Sequence, residues 1–346
     1  MAESNHKILS EIKEQAIIAK TIVKREHDPE VTDVVQEIQD AINRDGEVYF
    51  VGSGSSYHSA VFASHLFAKN NYFLSTAVPA GDFDMYIPDL QSKDLVIFIS
   101  QSGTNPTILE SFHNVIQRSS KTVVITNDID APLTNRVDKV LPLEIKREEA
   151  VPATKTYLAE LLVLSMISEG MKDGTELYRT REEISEEIKK ICQEDFYNKM
   201  NSMAQFLAGS TDVFVIAEGI EYANALEAAL KFKECALLDA EAYLLDEFLH
   251  GPITLVKTKT PVILFNTNLD EKSQSKIDKI KQAGGVIICV GGGKRSKIDA
   301  LIPVKDFGLF TSIVSIVPLQ LLAYKTAIMK GLDPDKPRGL SKIVEY

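Results

Sequence analysis

The sequence predicts an α/β protein built from two doubly wound, flavodoxin-like parallel-sheet domains related by internal duplication. Two observations carry that expectation. Apolar runs with the character of buried parallel strands lead through small-residue turns into helix-like segments, as where Val48-Tyr49-Phe50-Val51 precedes Gly52-Ser53-Gly54-Ser55-Ser56. The pattern is then written a second time. Laying Val48 on Val213 also lays Gly54 on Gly219, Tyr57 on Tyr222, Ala60 on Ala225, Ala63 on Ala228 and Phe67 on Phe232. At nearly the same offset Val96–Ile99 falls on Val262–Phe265, and Val123–Ile125 on Ile287–Cys289, so three successive strands recur in order.

Taken along the chain, residues 1–40 read as a helical segment and 41–175 as the first domain. Its strands are expected at Val48–Val51, Asp94–Ile99 and Thr122–Thr126, with a helix over Thr107–Arg118 and a closing helix over Thr154–Asp173. Residues 176–205 join the halves. Within them the charged stretch Arg179–Gln205 carries Ile184, Ile188, Ile191, Phe196 and Met200 at helical spacing, which predicts one amphipathic helix. The second domain spans 206–333, and 334–346, opening with Pro334 and containing Pro337, is a tail able to fold over a crevice.

A chain of 346 residues, 45% of them hydrophobic, is long enough for two domains of roughly 100–200 residues, each with its own core. With 38 Lys+Arg against 49 Asp+Glu the net charge is −11, which argues against nucleic acid or an anionic membrane as partner. Cys192, Cys235 and Cys289 lie far apart and offer neither a disulfide framework nor a metal clamp, which fits a reducing compartment. Met1–Lys20 lacks the apolar core of a signal peptide, and no apolar run approaches the ~20 residues that span a bilayer. A soluble, cytoplasmic protein is expected.

In open α/β sheets, ligands bind beyond the carboxyl ends of the strands, where helix N-termini aim unpaired N–H groups outward. Two hydroxyl-rich turns of the first half belong at such ends. Ser55 and Ser56 follow the first strand; Ser100, Gln101, Ser102 and Gly103 follow the second, with Asn105 as an N-cap and Pro106 at the first helical position. Serine and glycine also make tight turns for purely structural reasons, but two such turns in consecutive strand–helix units favour a phosphate site. The matching turn of the second half, Ala217-Glu218-Gly219-Ile220-Glu221, has two acids and no hydroxyl, and should not hold phosphate. On the following helix Glu227, Lys231 and Glu234 share one stripe, with Leu226, Leu230 and Leu237 on another face; periodicity alone favours a solvated Glu–Lys pair. His250, before Gly251-Pro252, suits either a helix end or an acid/base near neutral pH. Lys342, in the tail, is a surface lysine or an amine nucleophile for a carbonyl.

These segments together resemble the tandem sugar isomerase domains of the glucosamine-6-phosphate synthase family over nearly the whole chain. The resemblance rests on Val51–Tyr57, Ser100–Gly103, Ala153-Thr154-Lys155, Ala225–Glu227 through Ala240–Tyr243, Glu247–Pro252, Val317–Tyr324 and Lys336–Lys342, with Glu11–Gln15 resembling the start of the family's isomerase module. It implies that Ser56, Ser100, Gln101, Ser102 and Asn105 hold a sugar phosphate, with Ser55, Val151 and Ala153 beside the sugar. It also implies Glu234 as the base moving a proton between C1 and C2, Lys231 beside it, His250 aiding ring opening, and Lys342 forming an imine with the ketose. The histidine usually reaches in from the other subunit, which implies a homodimer. No metal and no cofactor is called for.

Several positions depart from the synthase pattern: Asn105 replaces a threonine, Ala153 a serine, Asp239 a histidine and Leu249 a lysine. No glutaminase segment with a terminal cysteine is seen, so the chain is expected not to draw ammonia from glutamine by itself. The activity expected is a phosphosugar isomerase and deaminase converting glucosamine 6-phosphate to fructose 6-phosphate and ammonia. Alternatives are the isomerase subunit of a split synthase working with a separate glutaminase, a deglycase of fructosamine 6-phosphates, and, in a different class, a non-catalytic phosphosugar-binding regulator.

Overall fold

A strand covered by helices on both faces must be apolar at every position, and this is how the inner strands of the first sheet are built. The computed structural model describes residues 6–118, 120–172, 174–265, 271–292 and 298–342. Strands β1 (Val48–Gly52), β2 (Thr76–Pro79), β3 (Leu95–Ile99), β4 (Lys121–Thr126) and β5 (Lys139–Pro142) form a parallel sheet in the order β2-β1-β3-β4-β5. Every residue of β1 and β3 is buried. Strands β6 (Asp212–Ala217), β7 (Asp239–Leu244), β8 (Thr260–Phe265), β9 (Gly285–Gly291) and β10 (Ala300–Pro303) form a second parallel sheet in the order β7-β6-β8-β9-β10. The two sheets share one topology, and the recurrences on β1/β6, β3/β8 and β4/β9 fall on equivalent strands, as expected of a duplicated doubly wound fold.

The described chain divides into two compact units. One gathers Glu14–Glu148, Ala153–Ser185 and Leu340–Tyr346 around the first sheet; the other gathers Met1–Lys13, Glu149–Pro152 and Glu186–Gly339 around the second. In the first, the helix Lys155–Gly170 is buried along almost its full length and packs against the helices Ser55–Asn70 and Pro29–Asn43. In the second, the helix Val317–Met329 packs on Tyr222–Ala236 and Asn201–Ala208. Together with the segment before it, Gly308–Met329 is long and apolar enough by composition to cross a bilayer. This corrects the expectation that no run comes near that length. Its apolar window is 89% buried inside the folded protein, which is the signature of a core helix.

Two further differences have physical causes. The stretch expected as one amphipathic helix is three: Glu176–Ile191, Glu194–Lys199 and Asn201–Ala208. Gln193 is extended (φ −73°, ψ 151°), and Glu194 and Asp195 begin the next helix, where acids favour the N-terminal dipole. The break shifts the phase, so Tyr197 rather than Phe196 is buried. The closing helix of the first half ends at Gly170, and Asp173, where it was expected to end, lies outside the described residues.

What the fold does for function is set by register. β1 and β3 pair with Val48 opposite Leu95 and Val51 opposite Phe98, so their carboxyl ends finish level and side by side. Gly52 ends β1 where the next helix begins to pack: a Cβ there would lie 2.5 Å from the backbone C and O of Ser56. Gly52→Ala is therefore expected to cost about 1–3 kcal/mol of stability through overpacking. Urea unfolding checks this, and an unchanged midpoint would show that the turn has slack.

Candidate active site

The first turn starts with Gly54, whose φ of 56° lies in the left-handed region, and the helix Ser55–Asn70 follows at once. Ser56 donates its hydroxyl to Glu160 Oε1 (2.7 Å), so that proton is already committed to a buried carboxylate. The second turn is tied down more firmly. The Gln101 carbonyl accepts the Asn127 N–H (3.1 Å) and the Thr126 hydroxyl (3.3 Å), and Gly103 (φ 59°) sits where a Cβ would lie 2.5 Å from Ala131 Cβ. Ser100 Oγ accepts the Gly103 N–H (3.2 Å). Ser102 Oγ accepts both the N–H (3.3 Å) and the hydroxyl (2.9 Å) of Thr104. Asn105 caps the helix Pro106–Val115 as expected, its Oδ1 accepting the Ile108 N–H (3.2 Å), so its amide nitrogen is the group left to donate outward.

The equivalent turn after β6 repeats the backbone and inverts the chemistry. Gly219 has φ 58°, matching Gly54, but Glu221 stands where the duplication puts Ser56. Its buried carboxyl accepts from Asn224 Nδ2 (2.9 Å) and the Ser315 hydroxyl (2.8 Å). Burial pushes this carboxyl above its usual range, against the partial offset of hydrogen bonds from Ser315, Asn224 and Ser312.

The helix Tyr222–Ala236 overturns the solvated-pair expectation. Its inward face is made of Ala225, Ala228, Ala229 and Phe232, and the stripe Glu227-Lys231-Glu234 turns inward with them, while Leu226 and Leu230 are only half-buried and Leu237 is exposed. Small alanines leave room for the long charged side chains. Lys231 Nζ lies 3.3 Å from Glu227 Oε1 and 2.5 Å from Glu234 Oε2, with side-chain exposures of 1% for Lys231, 0% for Glu227 and 17% for Glu234. Burial alone would lower the Lys231 ammonium, but the charges of Glu227 and Glu234 hold it above its ordinary value. Of the three, Glu234 is the one that reaches solvent. Burial pushes the neighbouring Cys235 thiol, and separately that of Cys192, up to about 12, so neither is an activated nucleophile.

His250 is exposed at the end of the short helix Leu245–Leu249, its N–H donating to the Glu247 carbonyl (3.0 Å), with Gly251 (φ 152°) following. Lys342, in the tail, extends its ammonium to Glu148 Oε2 (3.0 Å). Thus Ser55, Ser56, Ser100, Gln101, Ser102, Asn105, Ala153 and Lys342 belong to the unit of the first sheet, and Val151, Lys231, Glu234 and His250 to that of the second. Val151 donates its N–H to the Asp335 carbonyl (3.0 Å), and Ala153 is half-buried just before the helix Lys155–Gly170. Thr104, Glu148 and Glu160 were missed by sequence reasoning. A lone acid in the apolar run around Glu160, and an acid shortly before Thr154-Lys155-Thr156, were the available signals.

The model of the SIS domain matches residues 41–169 and again 206–330, most of the chain and once on each sheet. The chain belongs to the SIS domain family. Among curated proteins this SIS chain is 31% identical over 350 residues to the glutamine–fructose-6-phosphate aminotransferase (isomerizing) of Methanothermobacter thermautotrophicus, with 98% of this chain and 57% of that protein covered. It is also 31% identical to the protein of the same name from Thermococcus kodakarensis, of which 58% is covered. The chain thus spans a little over half the length of these relatives. Among solved SIS structures, the glucosamine-6-phosphate deaminase of Thermotoga maritima superposes with a TM-score of 0.77 at 25% identity, covering 98% of this chain and 99% of that one. The C-terminal domain of glucosamine-fructose-6-phosphate aminotransferase from Francisella tularensis shares the fold, with a TM-score of 0.80 at 22% identity over 96% of this chain and 99% of that one.

The buried stripe is the feature of this SIS chain whose energetics are easiest to test. Lys231→Met removes the ammonium and leaves the fully buried Glu227 carboxylate without its counter-charge, beside the part-exposed Glu234. It is expected to destabilise the protein by about 3–5 kcal/mol at neutral pH in urea unfolding. A loss under about 1 kcal/mol, the scale of a surface pair, would mean the stripe is solvated after all.

Proposed function

We propose that the protein is a cytoplasmic aldose–ketose isomerase and deaminase of phosphorylated aminosugars, converting glucosamine 6-phosphate to fructose 6-phosphate and ammonia. The observation that carries this reading is the buried Glu227-Lys231-Glu234 stripe. Burying two charges, Lys231 and Glu227, beside the part-exposed Glu234 is costly and does little for packing, and such groups concentrate where a proton must be moved. Lys231 neutralises one carboxylate's worth of charge and holds Glu234 in place as the solvent-reaching base.

In this reading Ser100, Gln101 and Ser102, with Asn105, bind the phosphate at the N-terminus of the helix Pro106–Val115, where N–H groups and the helix dipole favour an anion. Ser55 and Ser56 assist, Ser56 once its hydroxyl leaves Glu160, and Val151 and Ala153 flank the sugar. His250 assists ring opening. Glu234 then takes the proton from C2 and returns it to C1, turning the open-chain aldehyde and C2 amine into a C1 alcohol and a C2 imine. The Lys342 amine attacks C2 and displaces ammonia, and water displaces Lys342 to leave the C2 ketone, so one water is consumed and one ammonia released. The full-length likeness to the Thermotoga deaminase supports this reading. The aminotransferase relatives favour a second one, in which the same residues isomerise fructose 6-phosphate with ammonia delivered by a separate glutaminase.

The test is ammonia release by the purified chain from a panel of 2-amino and fructosamine 6-phosphates. Glucosamine 6-phosphate is expected to be turned over and free glucosamine hardly at all. Glu234→Gln should cost about 10²–10⁴ in rate with little change in phosphosugar binding. Near-native turnover by that variant removes Glu234 from the chemistry, and synthesis from glutamine appearing only with an added glutaminase favours the second reading.

We further infer a homodimer in which His250 serves the neighbouring subunit. Mixing inactive His250→Ala and Glu234→Gln chains should then restore part of the activity in hybrid dimers. No recovery in verified hybrids would place His250 in its own subunit's site or outside catalysis.

A further inference from the structure

We propose that Glu148 is a positioning residue for Lys342: the carboxylate that caps the helix Lys155–Gly170 is also the receptor that docks the C-terminal tail and presents its amine. This assignment rests on the reading of Lys342 as the amine of the reaction. Glu148 Oε1 accepts the N–H groups of Thr154 (2.7 Å), Lys155 (2.9 Å) and Thr156 (3.4 Å) and the Thr154 hydroxyl (3.2 Å). Its Oε2 accepts the Thr156 hydroxyl (2.9 Å) and the Lys342 ammonium (3.0 Å). The Glu148 side chain is 0% exposed and that of Lys342 29%. Burial alone would raise the Glu148 carboxyl, but the Lys342 charge and the bonds from Thr154 and Thr156 outweigh it, and the carboxyl stays below its usual range and ionised.

The geometry divides the labour between the two oxygens. Oε1 is spent on the helix N-terminus, so the carboxylate is fixed by a helix that is itself buried; Oε2 is shared between the Thr156 hydroxyl and the ammonium of the tail. Residues 338–342 are exposed, and the ion pair ties their far end to that fixed point. A nucleophile on an exposed tail reaches a defined carbonyl only if its own position is defined, and misplacement by about 1 Å costs on the order of 10²-fold in rate. A capping role alone would not need the lysine.

Glu148→Gln separates the two roles, because glutamine's carbonyl oxygen can still accept the helix N–H groups while its amide no longer attracts an ammonium. Two rates are compared: ammonia release from glucosamine 6-phosphate, which needs Lys342, and interconversion of unaminated hexose 6-phosphates, which needs Glu234. In Glu148→Gln the ratio of the first to the second should fall at least tenfold, as in Lys342→Ala, and the double variant should fall no further than Lys342→Ala alone. Glu148→Asp, which keeps the charge, should recover part of the ratio. If both rates fall together and the ratio holds, Glu148 is a helix cap only. Hydrogen–deuterium exchange over residues 336–342 needs no substrate: it should be faster in Glu148→Gln than in the parent, and unchanged exchange overturns the docking. If the parent shows no ammonia release from any aminosugar phosphate, the functional reading fails, and the exchange measurement still decides the docking.

Discussion

A lysine ammonium held out of water between two carboxylates on one helix is the constraint around which the second unit is organised. Such a cluster survives burial only when the opposite charges satisfy each other at short range, and Lys231 does this for Glu227 at 3.3 Å and Glu234 at 2.5 Å. Ala225, Ala228 and Ala229 are buried on the same helix as Glu227 and Lys231, while Leu226 and Leu230, which a simple amphipathic helix would bury, are left half-exposed. Two carboxylates share one ammonium, and Glu234, held closer at 2.5 Å, is also the one whose side chain keeps 17% exposure.

Duplication supplied two equivalent turns, and the halves then diverged in charge. The backbone is retained, with Gly54 and Gly219 at nearly equal positive φ after equivalent strands. The side chains are exchanged: Ser56 donates to a buried Glu160 in one unit, and a buried Glu221 accepts from Ser315 in the other. Each helix start is thus strapped by a serine–glutamate hydrogen bond of opposite polarity. Among the described residues, the turn after β6 carries two acids where the turn after β1 carries hydroxyls, and the charged stripe lies in the second unit.

The inner strands were legible because burial on both faces writes itself as an uninterrupted apolar run, and the repeat was legible because the same runs recur in order. The edge strands β2, β5, β7 and β10 were not, since half-covered strands such as Thr76–Pro79 carry no such run. At the site, Asn105 as a cap and Gly54 and Gly103 as turn formers follow from local backbone chemistry and could be read directly. The burial of Lys231 could not, because periodicity records which residues share a face and says nothing about which face is inward when alanines compete with leucines. Glu148 was hidden in the charged run Arg147-Glu148-Glu149, whose alternating contacts are decided by residues distant in sequence, such as Lys342.

If the stripe on the helix Tyr222–Ala236 moves a proton between C1 and C2 of a phosphosugar, proton NMR of fructose 6-phosphate incubated with the protein in deuterated water will show it. The C1 proton signals are expected to decay, by exchange with solvent or by conversion to an aldose whose H1 signal grows. C1 protons that persist with no aldose formed, at concentrations where ligand line-broadening shows the sugar to be bound, would contradict it.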